Sequence, residues 1–371
     1  FALTARIAEE SVDDPEFSWW DEPNDLIRLQ VNGALNSTAT TVVVDSADPS
    51  TSAPDNAWGL ATHLKPGDLL MVENASEPQA FTHEVIEVTS VTNSTTFEVS
   101  RGRAGSTAAS IADDAFLLKI GSAYAEGTNS PSATSRNPIK YSNLCQIWKT
   151  AYELTGTTLE TRARTGKALE NDKKRKTFDH SRDIELSLLF GQKFETTGAN
   201  GKPLRYMGGL REFIPTSRTT IFAANVTLQQ YLNAVTPVFD FDTPAGDERI
   251  VFCGNGYLNT LNLLANSTGQ IRFGDVIKAF GLKLREFILP QGRLFLRTHP
   301  LMNRHAQYTN SAFIVDMASL KWRHLRDTKS MDNIQAPDAD TRKGQWLTEA
   351  GLEVHRGGLT CAYHGNFASV A

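Results

Sequence analysis

The chain has 371 residues, 40% of them hydrophobic, and a formal net charge of -5 with a pI of 5.9. That length holds two or three domains with real cores, which excludes a disordered protein, and the acidic balance excludes one dedicated to nucleic acid, whose footprint would be a domain-wide basic excess. No run reaches the roughly eighteen apolar residues that cross a bilayer and no charged-then-apolar leader opens the chain, so the sequence reads as that of a soluble protein. Cys145, Cys253 and Cys361 are odd in number, far apart and in apolar surroundings, and read as reduced core residues of a cytoplasmically made protein. Sequons at Asn36, Asn74, Asn93, Asn225 and Asn266 lack a disulfide framework beside them and read as coincidence.

Residues 1–28 are acidic and irregular, interrupted at Asp13-Asp14-Pro15 and Glu22-Pro23, yet they hold Phe17, Trp19 and Trp20 close together. Aromatics in a strand-poor arm cannot build a core of their own, so the arm is expected to dock on the body or on a neighbouring subunit. From 29 to 125 the texture changes to short β runs at 40–44, 68–73, 81–91, 96–100 and 115–120. Lys65-Pro66-Gly67-Asp68 has proline and glycine at the second and third positions of a type II turn. Short strands at this spacing predict a small β-barrel or sandwich. Residues 124–140, rich in Ser, Thr, Asn and Pro, read as a flexible exit.

An extended segment over 143–157 comes next, then a helical pattern that runs without a break to Leu189. Leu159, Ala163, Gly166, Leu169, Lys173, Thr177, Ile184 and Leu188 fall at three- and four-residue steps, a narrow and partly polar stripe on an otherwise charged helix. Glu160/Arg164, Glu170/Lys174, Asp172/Lys176 and Arg175/Asp179 set opposite charges four apart, each contributing about 0.3 kcal/mol. Thr157 or Thr158 fits the start, with Glu160 placed for a capping box, and Gly191 fits the end. A helix over 157–190 would be roughly 50 Å long at about 1.5 Å per residue. Such a rod is too long for the core of a small domain, so something outside the chain is expected to pack on it.

Beyond the helix, 202–214 reads as a turn and short strand, and a second α/β unit follows. Leu228, Tyr231, Leu232 and Val235 form a helical stripe, and 249–253 is a buried strand feeding a helix from about Tyr257. Segments 281–289 and 293–297 form a hairpin around Pro290-Gln291-Gly292, and 312–317 is another strand. In the tail, Trp346, Thr348, Ala350, Leu352 and Val354, then Gly357-Gly358, then Leu359, Cys361 and Tyr363 describe two long strands joined by a tight turn. There is no internal repeat.

Several of these segments match a known family in order: Phe17-Ser-Trp-Trp-Asp21; Glu126-Gly127 ahead of a Ser/Thr-rich stretch; 143–157; the helix; Arg205-Tyr-Met-Gly-Gly-Leu-Arg-Glu-Phe-Ile214; and the closing strands over 345–367. The chain resembles the major capsid proteins of tailed bacteriophages, the Hong Kong 97-type fold, in the subgroup with an extra β-domain before the long helix. The resemblance implies an α+β fold: an amino-terminal arm over 1–28, an inserted β-barrel or sandwich over 29–125, and an extended loop returning over 126–156. It further implies a peripheral domain over 157–225 whose spine helix is 157–190, an axial domain over 226–330, and peripheral return strands over 331–371.

The function implied is assembly into hexamers and pentamers of a virion shell around double-stranded DNA, in a protein made in the host bacterial cytoplasm. Implied partners are copies of the same chain, portal and scaffolding proteins, room for a decoration protein, non-specific contact with packaged DNA, and no membrane. Assembly contacts fall to Phe17, Trp19 and Trp20 in the arm and to Lys173, Lys174, Arg175 and Lys176 on the helix. That basic run reads first as a solvated, ion-paired face, and as a DNA contact only if turned toward a shell's interior. No lysine, asparagine and carboxylate trio for a covalent shell is legible, so the shell is expected to be non-covalent. A tail or surface binding module that uses the β-domain is the competing reading.

Nothing predicts an enzyme, cofactor or metal. Asp179-His180-Ser181 are helix neighbours about 100° apart and cannot converge on one atom. Gly254-Asn255-Gly256 has Asn259 where a dinucleotide loop needs a third glycine. His299, His305 and His324 lack the spacing of a helical zinc pair.

Overall fold

The computed structural model describes residues 7–21, 27–45, 60–73, 83–131, 138–161, 166–268, 273–279 and 282–370. The predicted break at Glu22-Pro23, the pair Glu160/Arg164 through its arginine, and stripe residue Ala163 lie outside them. The chain divides into two compact units, one of residues 1–19 and 141–371, the other of residues 20–140. Helices and strands mix without regular alternation, the expected α+β class.

In the larger unit a seven-stranded mixed sheet runs in the order Thr219–Ile221, Ala362–Gly365, Ala312–Val315, Glu248–Cys253, Gly292–Thr298, Leu282–Leu289, Phe273–Ala279. Its central strands are continuous apolar runs because both faces are covered. Ile250, Phe252, Phe313, Val315 and Tyr363 point into one core. Their neighbours Val251, Cys253, Ala312, Ile314 and Ala362 point into the other, beneath helices Leu228–Val235 and Asn255–Thr268. The hairpin around Pro290-Gln291 forms, closed by the pairing of Leu289 with Gly292.

The first core continues under a four-stranded sheet in the order Ala8–Ser11, Leu320–Asp332, Thr341–Val354, Gln146–Thr155. The long helix packs on this sheet through Ile184, Leu188 and Leu189 against Trp148, Ala350 and Leu352. The unbroken helix over 157–190 is not formed. A five-residue helix, Gly156–Glu160, is capped by Thr155, and the long helix begins again at Ala168 and runs to Phe190. Gly166 lies between them at φ +89°, left-handed backbone that cannot continue a right-handed helix. The helix therefore has 23 residues, roughly 35 Å at about 1.5 Å per residue.

The tail also departs from expectation. Thr341–Val354 and Ala362–Gly365 belong to different sheets and do not pair. The chain turns at His355–Gly358 with Arg356 and Gly358 both at positive φ, and a Cβ on Gly358 would meet Phe213 O at 2.4 Å, so this turn redirects the strand onto the other layer. The hairpin partner of Thr341–Val354 is Leu320–Asp332, whose outer half is exposed and charged and carries no alternation to read.

In the smaller unit six antiparallel strands run in the order Arg28–Gln30, Phe116–Ser122, Asp68–Glu73, Val85–Val91, Thr96–Arg103, Thr41–Val43. The first and last meet: Val31 bridges Val44, Asn32 N–H donates to Val43 O at 2.9 Å and Asp45 N–H to Gln30 O at 3.0 Å. Among the described residues the sheet thus closes into a barrel, filled by Leu29, Val31, Val42, Val44, Leu70, Ile86, Val88, Phe97 and Leu117. A buried bidentate pair, Arg101 Nε and Nη2 to Glu84 Oε1 and Oε2 at 2.6 and 2.7 Å, ties two of its strands and a loop. Burial raises the Glu84 carboxyl, but the Arg101 bonds and the Ala109 and Gly102 N–H groups outweigh it and hold it below the usual range.

Candidate assembly interface

The arm is seated on its own chain. Ala8–Ser11 adds to the four-stranded sheet in parallel with Leu320–Asp332. Beyond it, the strand Glu16–Asp21 turns Phe17 and Trp19 inward and Trp20 outward, because neighbours on a strand face opposite ways. Phe17 and Trp19 stack 5.9 Å apart, Trp19 also meets Tyr141 and Phe213, and its Nε1–H donates to Val354 O at 3.1 Å. Of the two tryptophans expected to anchor the arm, Trp19 is the one buried within its own chain, at 4% exposure, while Trp20 is 58% exposed.

An ionic clasp, not foreseen from sequence, holds the arm strand. Glu10 Oε2 accepts from Arg323 Nη1 at 2.6 Å and Lys321 Nζ at 3.2 Å, while Arg323 Nε bonds buried Glu353, which also pairs with His355 at 2.6 Å. Hydrogen bonds from Arg323 and Lys321 hold the Glu10 carboxyl below its ordinary range. Burial pushes Glu353 up, but its bonds to His355 and Arg323 prevail and its carboxyl is also lowered.

The long helix has an inner and an outer face. On the inner face His180 is buried, with Nδ1 3.0 Å from Thr150 Oγ1 and Nε2 2.9 Å from Thr348 Oγ1, which in turn lies 2.8 Å from Thr328 Oγ1. Burial lowers the His180 pKa, opposed by Asp183. Glu185, fully buried on the same helix, meets fully buried His299 Nε2 at 2.9 Å, so this histidine ties the helix to the end of strand Gly292–Thr298.

The predicted ion pairs of the outer face are not the ones formed. Glu170 pairs with Lys167 and Asp179 with Arg182. Lys173 reaches Asp332 at 2.8 Å and lies 5.3 Å from the centre of the Tyr152 ring, whose hydroxyl donates to the same carboxylate. Among the described residues Lys174, Arg175 and Lys176 have no ion-pair partner, and Lys174 and Arg175 are exposed. Between their side chains, three and four residues on, Phe178 stands 57% exposed. The sequence carried that signal, an aromatic outside the apolar stripe.

The remaining motifs are engaged within the chain. Ser181 Oγ donates to Thr177 O at 3.0 Å, not to a neighbouring base. At Gly254-Asn255-Gly256 the helix N–H groups are taken by the chain itself, Asn255 by Asn303 Oδ1 at 2.6 Å and Gly256 by Thr309 Oγ1 at 3.4 Å. All three cysteines are buried, and burial pushes their thiols up to about 12, the opposite of an activated thiolate. Among the described residues no cluster of His, Cys, Asp and Glu could hold a metal, and no helix is long and apolar enough to cross a membrane.

What this arrangement offers is surface, and the comparison with known proteins says whose. The profile of the SU10 major capsid protein family matches residues 9–362. The chain belongs to that family. The SU10 match runs through both compact units. A major capsid protein of Pseudomonas phage PaMx41 is 26% identical over 280 residues, 72% of this chain and 66% of that protein, so this chain spans just under two thirds of its relative's length. Similar solved structures include the capsid asymmetric unit of cyanophage Pam1, with TM-score 0.40 and 13% identity over 67% of this chain and 82% of that one. Mycobacterium phage Patience gives TM-score 0.45 and 10% identity over 67% of this chain and 79% of that one.

Proposed function

We propose that this SU10-family chain is the major capsid protein of a tailed bacteriophage, and that it builds hexamers and pentamers of an icosahedral shell with the Hong Kong 97-type fold around double-stranded DNA. The observation that carries the reading is the family match over residues 9–362. Because that match takes in the body as well as the barrel, it favours a shell protein over a tail or surface module. The role is structural and not enzymatic. The protein is made in the host cytoplasm and ends in the virion.

In this reading the body combines a peripheral part, 157–225 with 331–371, and an axial part, 226–330, while 1–28 is the arm, 29–125 the inserted barrel and 126–156 the loop that returns to the helix. Copies of the chain are the main partners, joined by portal and scaffolding proteins and, on the outer side, a decoration protein. Contact with packaged DNA is non-specific and salt-sensitive. Many modest contacts add up through multivalency, and the interfaces of one subunit together exceed about 2,000 Å², the range of obligate assemblies.

Electron microscopy and sedimentation of the purified full chain test this. Rings or closed shells are expected. A monodisperse monomer at micromolar concentration would sink the proposal.

A further inference from the structure

Charge is missing from one layer of the larger unit. Residues 219–239 and 250–271 hold no Asp, Glu, Lys, Arg or His, although a chain that is 21% charged would put about nine charges in 43 residues. The long helix Ala168–Phe190, in the same unit, has ten charged residues among its 23. Burial does not explain the difference. Twelve of the described residues in the two uncharged stretches are exposed, and none of them bears a charge.

The same stretches contain the helices Leu228–Val235 and Asn255–Thr268, which lie over one face of the seven-stranded sheet and seat Tyr231, Val235, Tyr257 and Leu261 in the core. Their outward side chains therefore share one outer surface. Gln229 and Asn233 stand on the first helix, Gln229 Nε2–H donating to Asn233 Oδ1 at 2.8 Å. On the second, Asn255, Asn259 and Asn262 follow four- and three-residue steps and form a ridge, with Leu263 beside it at 58% exposure.

A face of carboxamides and leucine has a definite preference among partners. DNA asks for cations, and a charged protein surface asks for the opposite charge. A face that meets its own image around a rotation axis is the case in which charge of either sign is costly, because each charge would stand beside the same charge on the next copy. Carboxamides suit that place. Each one donates through its NH2 group and accepts through its oxygen, so it can bond its own image, and the cores of protein interfaces are depleted in charge.

We infer that this charge-free helical face is a contact between copies of the chain, in which Asn259, Asn262 and Leu263 of one copy stand beside the same residues of the next. The inference rests on the shell reading and adds to it the surface of the larger unit through which copies gather, which the family match does not assign.

The test assembles full-length Asn259→Asp and Asn259→Lys, each alone and then as an equal mixture, with yield read by sedimentation and electron microscopy. Because Asn259 is exposed, the melting of dissociated chain should match the parent in both. Each variant alone should lower particle yield about tenfold or more, since like charges crowd the contact, and the mixture should regain most of the parent yield, since opposite charges become neighbours. Parent-like yields from both single variants overturn the inference, because the face then lies in solvent. A loss that mixing does not repair overturns it as well, because a different surface then covers the face.

A second variant decides the matter even if a charge at 259 disturbs folding. Cys145, Cys253 and Cys361 are buried, so in Asn262→Cys a short bismaleimide reacts at position 262. It should join two copies through that position in assembled particles and not in dissociated chain. A thiol there that labels freely within particles and joins no copies overturns the inference. A parent chain that forms neither rings nor shells sinks the shell reading and this inference together, whereas parent shells with unaffected variants sink the inference alone.

Discussion

The arm and the long helix meet the same need for cover in opposite ways. Arm strand Ala8–Ser11 has no internal backbone bonds, so it takes a sheet edge from Leu320–Asp332, and the strand after it buries Phe17 and Trp19 in the same chain. Between its first and last turns the helix satisfies its own backbone, and it seats only one face, leaving Lys174, Arg175 and Phe178 exposed. A strand has to find a partner to exist, whereas a helix can hold a face in reserve for one.

The sharpest check of this contrast compares two aromatics. Trp19→Ala should cost about 3–5 kcal/mol in denaturant unfolding, as for large core aromatics, while Phe178→Ala should change stability by less than about 0.5 kcal/mol. Equal costs would break the comparison.

Acid should then separate the two regions in order. Buried His364 is pushed down to about 4 by desolvation from an ordinary 6.5. Its folded pKa is depressed, so its contribution is complete above about pH 6.5 and is lost as pH falls toward 4, about 3 kcal/mol over that window. His180, beneath the helix, is lowered for the same reason and loses stability in the same direction. Glu10 and Glu353, lowered by their cations from an ordinary 4.5, keep their contribution in full above about that pH and lose it as pH falls through their lowered values. Hydrogen exchange followed as pH is lowered should show helix and core amides loosening before those of the arm strand, and His180→Asn should delay the helix. An arm that opens first would reverse the assignment.

A smaller effect is expected where the long helix meets the end of strand Leu320–Asp332. Lys173→Met should cost less than about 1 kcal/mol by thermal melting, since its pair with Asp332 is partly exposed. Least of all, Trp20→Ala should leave the fold's stability within about 0.5 kcal/mol of the parent while lowering particle yield. A large loss of stability would mean that Trp20 is a second arm anchor after all.

Much of the fold was legible where one signal dominated. The capped stripe of Leu228, Tyr231, Leu232 and Val235, the buried run Arg249–Cys253 and the Pro290-Gln291 hairpin all follow local rules of period and turn chemistry. The helix was overextended because charge pairs at four-residue spacing continue across Gly166, and period alone does not register a left-handed backbone. The Leu320–Asp332 strand was missed because Lys, Arg, His and Asp on both faces erase alternation. At the candidate interface, the basic run on the helix could be read, but not that Lys173 takes Asp332 while Lys174 and Arg175 take no carboxylate among the described residues. Glu170 and Asp179 had equally good neighbours on the other side, and only coordinates show which they took.

By itself the sequence determined the α+β class, the family, the arm's aromatics and the long helix with its basic run, because these depend on residue type and spacing within short windows. Only the tertiary structure decided that Trp19 and Trp20 part company, that the last two strands belong to different sheets, that the six short strands close into a barrel, and that Lys174 and Arg175 find no carboxylate among the described residues. Those outcomes depend on which distant segments compete for the same edge, carboxylate or pocket, and that competition is resolved only when the whole chain packs.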